Sequence, residues 1–183
     1  MNLQVSDFFG ESASGVAQWA VKHLVEPSSN EFHYGWLLYR LPDNDWVTLE
    51  SRFPRGLQVG RLSWHKRERL HFYRLNIPDH MRKNAAWGAV EYGPSWYDTK
   101  LVLRFCGCAF CVFLSMLRKF RFRKFRVNDF DYIKDSNPIC TEVIVTGCRS
   151  VGFDIIPAGT APIPNAFEIA RLEGKFFQVF PRY

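Results

Sequence analysis

No apolar run in this chain reads as a membrane span. The most apolar segment, Leu101 to Leu117, has about the minimum spanning length, but it carries Arg104 and runs into a cationic block. A buried core helix is the expectation there. Internal repeats, low-complexity tracts and domain linkers are also missing. Their absence argues against repeat arrays and extended disorder. Cysteine is scarce and odd in number, with five residues, which does not suit a disulfide framework. Met1 to Gly10 lacks the basic start and apolar core of a secretory signal. The expectation is a protein made in the cytoplasm with reduced thiols.

What is present is globular. The 183 residues suit a single domain, 1–183. A domain of this length buries roughly 70% of its unfolded surface and needs no metal or disulfide staple. Hydrophobic residues make up 47% and aromatics 16%, enough for a large core. The formal net charge is +6. Much of the excess lies in Arg118, Lys119, Arg121, Arg123, Lys124 and Arg126. Such a block attracts polyanions. An anionic envelope surface or cell-wall polymer suits it better than nucleic acid, and a solvated helix end is the plain alternative.

Periodicity divides the chain into short elements. Gly15 to Val25 has helical spacing and ends at Pro27-Ser28-Ser29-Asn30. Phe32 to Arg40 and Trp46 to Ser51 read as strands, joined into a hairpin by Leu41-Pro42-Asp43-Asn44-Asp45. Leu57 to Leu62 and Arg69 to Leu75 read as two more strands, and Asp79 to Val90 as a helix. Tyr97-Asp98 then opens a long apolar helix, Thr99 to Arg118. Cys140 to Thr146 starts another helix, Asn165 to Leu172 forms a short one, and Lys175 to Phe180 reads as a last strand. The fold class is α+β, a small antiparallel sheet packed against helices on one side.

One pair of residues carries chemistry. Cys140 follows the breaker run Asp135-Ser136-Asn137-Pro138 and stands at the start of a helix. The free N–H groups and positive dipole end there favour a thiolate, the nucleophilic form of cysteine. His33 lies far upstream on a strand. An imidazole near that thiol can hold its proton and deliver it to a leaving group. The imidazole needs a polar group to orient it. Glu50, at the end of the neighbouring hairpin strand, can stand on the same face as His33. The backbone N–H of Cys140 would donate to a developing oxyanion.

These residues resemble a family. His33-Tyr34-Gly35-Trp36-Leu37-Leu38 is similar to a His-x-Gly-apolar strand, followed by the acidic Glu50 and by Tyr97-Asp98 at a helix start. Cys140-Thr141-Glu142-Val143 stands where the family has Cys-Ser-Glu-Leu. Pro162-Ile163-Pro164-Asn165-Ala166-Phe167-Glu168-Ile169-Ala170-Arg171 resembles its closing Pro-x-Asp/Asn-Leu-Ala segment. The family is the circularly permuted branch of the NlpC-type papain-like cysteine hydrolases, the YiiX-like proteins, related to the lecithin–retinol acyltransferase group. The resemblance spans roughly residues 5 to 180. It implies a papain-like domain with catalytic Cys140, His33 and Glu50. The activity it implies is a peptidase or amidase on peptidoglycan peptides, or a thioesterase or acyltransferase on lipids. Phage members of the family add a setting in a virion tail.

Each residue also has a plainer role. Cys140 and His33 would be core residues, Glu50 a solvated strand end, and Glu142 a helix-start carboxylate. His23, His65, His71 and His80 show no partner pattern. Cys106, Cys108 and Cys111 have spacing compatible with metal, but they sit in a regular apolar stretch and read as core thiols. No metal or cofactor is expected. The rival from another class is a non-catalytic docking module of a phage tail or baseplate, its aromatic residues forming interface.

Overall fold

The structure is a computed structural model. It describes residues 2–12, 19, 22–23, 25–52, 54–93, 95–96, 98, 100, 103, 107, 111, 114, 125–126 and 139–180. The strands are β1 (Phe8–Glu11), β2 (Val25–Glu26), β3 (His33–Arg40), β4 (Trp46–Arg52), β5 (Gly56–Arg61), β6 (Leu70–Leu75), β7 (Phe125–Arg126) and β8 (Phe176–Val179). The helices whose full span is described are α1 (Asp79–Gly88), α2 (Cys140–Ser150) and α3 (Pro164–Leu172). The class is α+β, as the sequence indicates.

Six strands form one antiparallel sheet in the order β5-β4-β3-β1-β6-β8. β2 and β7 pair separately, in parallel. The β3–β4 hairpin turns where its composition demands. Asn44 takes a left-handed φ of 67° and its N–H bonds the carbonyl of Leu41 at 3.0 Å. Asn tolerates that conformation better than most residues.

Strand alternation sorts the side chains into two layers. Tyr34, Trp36 and Leu38 of β3, with Val47 and Leu49 of β4, face the main core. There they meet Ala85 and Ala86 of α1, Val143 and Ile144 of α2, and Phe167 and Ala170 of α3. The opposite face carries a smaller cluster of Phe9, Leu37, Trp46, Phe72 and Val179. These three helices thus gather on one side of the sheet, and they seat the start of α2 beside the start of β3. The indole N–H of Trp36 donates to the carbonyl of Val143 at 3.2 Å, tying β3 to α2 directly.

β1 is a central strand that periodicity does not reveal. Only four residues long, it is wedged between β3 and β6. Asp7, fully buried just before it, binds Arg74 of β6 through both carboxylate oxygens, at 2.7 and 2.8 Å. That two-pronged pair holds the arginine's charge in place, and with burial opposing it the guanidinium pKa is still raised.

Several expected features lie outside the described residues: most of the Gly15–Val25 helix, Tyr97, most of the Thr99–Arg118 helix, Cys106, Cys108, Arg118, Lys119, Arg121, Arg123 and Lys124. Of the long helix, Lys100, Leu103, Gly107, Cys111 and Leu114 are described, and all five are exposed. Arg126 lies in the short strand β7. Among the described residues no helix is long and apolar enough to cross a membrane.

Candidate active site

The site forms where β3 begins, because α2 begins there too. Ile139 is extended, with φ −82° and ψ 169°, and Cys140 is the first residue of α2. The carboxylate of Glu142 accepts the backbone N–H of Ile139 at 2.8 Å, half of a capping box. Glu142 therefore fixes the helix start, the role its position suggests. The N–H of Cys140 has no acceptor among the described residues, as expected in the first helical turn. Thr141 Oγ1 donates to the carbonyl of Pro162, which anchors this turn to the segment before α3. Cys140 Sγ lies 3.9 Å from the carbonyl oxygen of Phe32, beside His33.

His33, Glu50 and Cys140 come together. His33 is the first residue of β3. Glu50 pairs with Gly35 across the β3–β4 ladder, so its side chain shares a face with His33 two residues away. His33 Nε2 lies 2.5 Å from Glu50 Oε2. Cys140 is the other group that raises the pKa of the ring, and with Nε2 committed to Glu50, Nδ1 is the nitrogen left for it. Gly35 makes the approach possible. A Cβ there would come 2.7 Å from the Phe9 ring and 3.0 Å from Glu50 Cβ. The His-x-Gly spacing is thus a packing requirement of the carboxylate beside it.

The electrostatics follow from burial and partners. The His33 side chain is 15% exposed and that of Glu50 0%, so Glu50 is no solvated strand end. Burial disfavours the His33 imidazolium, but hydrogen bonds to Cys140 and Glu50 outweigh it and lift the pKa to about 10. Burial likewise opposes the Glu50 carboxylate, yet hydrogen bonds from His33 and His65 bring it down to about 2. Near neutral pH the site holds a charged imidazolium against a charged carboxylate. Cys148, on the same helix, is fully buried, and burial drives its thiol pKa well up. Cys148 is therefore an inert core thiol.

The structure also corrects the reading of His65. It sits after the short helical turn Leu62–Trp64 that follows β5, with its side chain fully buried. Nδ1 lies 2.8 Å from Glu11 Oε2 and Nε2 lies 3.2 Å from Glu50 Oε1. Thr48 Oγ1 donates to the same Glu50 oxygen at 3.3 Å. The His33 and His65 rings stack, with centroids 5.9 Å apart and planes 17° apart. Glu11 pairs with His33 across β1 and β3, which places this carboxylate on the same face. His71 has a partner as well, Glu31 Oε1 at 3.1 Å, and Tyr73 Oη donates to that oxygen at 2.5 Å. Sequence spacing gives no sign of His65, since its partners lie on other strands. The one available signal is chemical: a histidine in a turn after a core strand needs polar partners once it is buried.

Among the described residues no group of histidine, cysteine and carboxylate side chains is arranged to hold a metal ion. No protein-family model and no curated protein sequence matches this chain.

Proposed function

We propose that the protein is a thiol hydrolase, a peptidase or amidase, with Cys140 as nucleophile, His33 as proton carrier and Glu50 as the group that orients the imidazole. One observation carries this reading. The sulfur at the start of α2 lies 3.9 Å from the carbonyl oxygen of Phe32, the residue next to an imidazole that is held through Nε2 at 2.5 Å by a buried carboxylate. Nucleophile, base and orienting group in that sequence of contacts are what acyl transfer through a thiol requires.

The chemistry runs as follows. The thiolate of Cys140 attacks the substrate carbonyl carbon. A C–S bond forms, and the carbonyl π pair moves onto oxygen. The N–H of Cys140 donates to that oxyanion. As the oxyanion collapses, the bond to the leaving amine breaks and His33 Nδ1–H supplies its proton. The neutral imidazole then takes a proton from water, whose oxygen attacks the thioester. The acid departs, and the imidazolium–thiolate pair is restored. Glu50 stays ionised throughout and holds the ring through Nε2.

The resemblance to permuted NlpC-type enzymes directs the substrate to peptidoglycan peptides, with lipid esters and thioesters as the neighbouring class. By the same analogy the setting is a virion tail, with the 118–126 block against an anionic envelope. The test is hydrolysis of purified peptidoglycan peptides, followed by mass spectrometry, for the wild type and Cys140→Ala. Turnover by the wild type and none by a folded Cys140→Ala is the expected result. Cleavage by Cys140→Ala at the wild-type rate would falsify the assignment.

A second reading, a non-catalytic docking module of a tail or baseplate, is favoured by the low exposure of Cys140, 5%. Iodoacetamide separates the two. A live site alkylates Cys140 much faster than the exposed Cys111, whereas a docking module labels Cys140 more slowly than Cys111.

A further inference from the structure

We propose that His65 is a positioning residue of this site: bonded to Glu11 on one side and Glu50 on the other, it fixes the Glu50 carboxylate so that Oε2 aims at His33. This inference rests on the thiol-hydrolase reading. It begins from a matter of donors and acceptors. An ionised carboxylate only accepts hydrogen bonds. Both nitrogens of His65 face carboxylate oxygens, Glu11 Oε2 at 2.8 Å and Glu50 Oε1 at 3.2 Å. Both must therefore carry hydrogen, and the ring is an imidazolium.

A fixed cation there divides the work of the Glu50 oxygens. Oε1 is held by His65 Nε2–H and by the Thr48 hydroxyl at 3.3 Å. Oε2 is left to His33 at 2.5 Å, with Arg52 Nε at 3.7 Å. The groups facing His65 are Glu11 from β1, His33 from β3, and Thr48, Glu50 and Arg52 from β4, with the Phe9 ring 4.7 Å away edge-on. The charges alternate along the chain Glu11, His65, Glu50, His33, so no carboxylate in it is buried without a cation.

The backbone holds His65 independently of these contacts. Its N–H bonds the carbonyl of Leu62 at 3.1 Å. The preceding turn is fastened to the β3–β4 hairpin through Ser63, whose N–H and hydroxyl reach the two carboxylate oxygens of Asp45 at 3.1 and 2.7 Å. A ring locked at both ends by carboxylates, on a turn locked by its neighbour, is built to hold a position.

The experiment uses the full chain. In the wild type, 15N NMR of the His65 ring at pH 7 should show both nitrogens protonated; a neutral tautomer would overturn the proposal. His65→Gln keeps a donor but removes the charge. Its rate of Cys140 alkylation by iodoacetamide near neutral pH should fall roughly tenfold or more. The acid limb of that rate should also move up by about one pH unit, because Glu50 loses the cation bonded to it. A His65→Gln protein with unchanged rate and unmoved limb overturns the role of His65 alone. Slow alkylation of wild-type Cys140 sinks the hydrolase reading itself, and with it this inference. Should His65→Gln fail to fold, Glu11→Gln serves, since that side chain is 20% exposed. It should lower the pH at which His65 loses its proton by about one unit or more; no change would overturn the proposal.

Discussion

Gly60 and Glu50 pack directly against each other. A Cβ at Gly60 would come within 2.8 Å of Glu50 Oε1 and 2.9 Å of Thr48 Oγ1. The first of these atoms is the free end of a side chain, so the carboxylate yields before the backbone does. Gly60→Ala is therefore expected to cost little stability, on the order of 1–2 kcal/mol, while swinging Oε1 away from His65 and Thr48. Thermal unfolding should show a drop of a few degrees. NMR titration of the His33 ring should show its midpoint fall from the native value of about 10. An unmoved His33 midpoint would contradict this account of how the carboxylate is held.

The His33 strand, its turn and the helix at Cys140 were legible because their signals are local. Pro42, Asp43 and Asn44 mark the turn, and Tyr34, Trp36 and Leu38 alternate with their neighbours. β1 was not legible. Phe8-Phe9-Gly10-Glu11 is too short for a period, and it is paired on both edges by strands farther along the chain. His65 escaped for a related reason. Its partners come from strands 54 and 15 residues away, and nothing in the residues around it encodes that meeting. The pairing of Cys140 with His33, 107 residues apart in the chain, could be suspected from their chemistry and from the resemblance to a family. Local pattern places neither residue in three dimensions.

The pKa shifts of Glu50 and His33 give stability a pH optimum with predictable flanks. Glu50 is depressed from 4.5 to about 2. Its contribution is fully present above about pH 4.5 and is lost as pH falls through 2. His33 is raised from 6.5 to about 10. Its contribution is fully present below about pH 6.5 and is lost as pH rises through 10. Stability measured by urea unfolding should therefore be greatest between about pH 4.5 and 6.5. Glu50→Gln should flatten the acid flank and also weaken the alkaline one, since a neutral amide cannot hold the imidazolium. It should reduce peptide turnover by roughly ten-thousandfold, in line with loss of the orienting carboxylate in other triads. An unchanged acid flank in Glu50→Gln would mean that another carboxylate dominates it.

Asn165 links two parts of the molecule that frame the site. Its Nδ2 donates to the carbonyl of Pro27 at 2.6 Å, joining the first turn of α3 to the loop before β3. Thr141 reaches the carbonyl of Pro162 from the start of α2. Asn165→Leu keeps the bulk and removes the donor, leaving that carbonyl without it. The expected loss is about 1–3 kcal/mol, read as a lower urea midpoint with unchanged slope. Alkylation of Cys140 should slow by less than in Glu50→Gln, because the carboxylate that holds His33 stays in place. A variant as stable as the wild type would show that the α3 contact is ornamental.

Gly147→Ala sets two effects of opposite sign against each other. Alanine in a helix interior gains about 1 kcal/mol over glycine. Against that, a Cβ at Gly147 would collide with the backbone carbonyl oxygen of Ala85 in α1 and come 3.2 Å from the Trp36 ring. A backbone atom cannot rotate aside as a side chain can, so α1 and α2 must separate. The shift would also stretch the bond from Trp36 to the carbonyl of Val143, now 3.2 Å. Overpacking of a fixed contact costs roughly 1–3 kcal/mol or more, and here the obstacle is backbone, which puts the cost toward the upper end. The net expectation is destabilisation by about 2 kcal/mol, a Tm lower by several degrees. A Gly147→Ala protein with raised Tm would mean that helix propensity outweighs the contact and that α1 and α2 are free to part. The effect should also stay away from the chemistry. Gly147 lies about two helical turns beyond Cys140, so the alkylation rate of Cys140 should change far less than the Tm does.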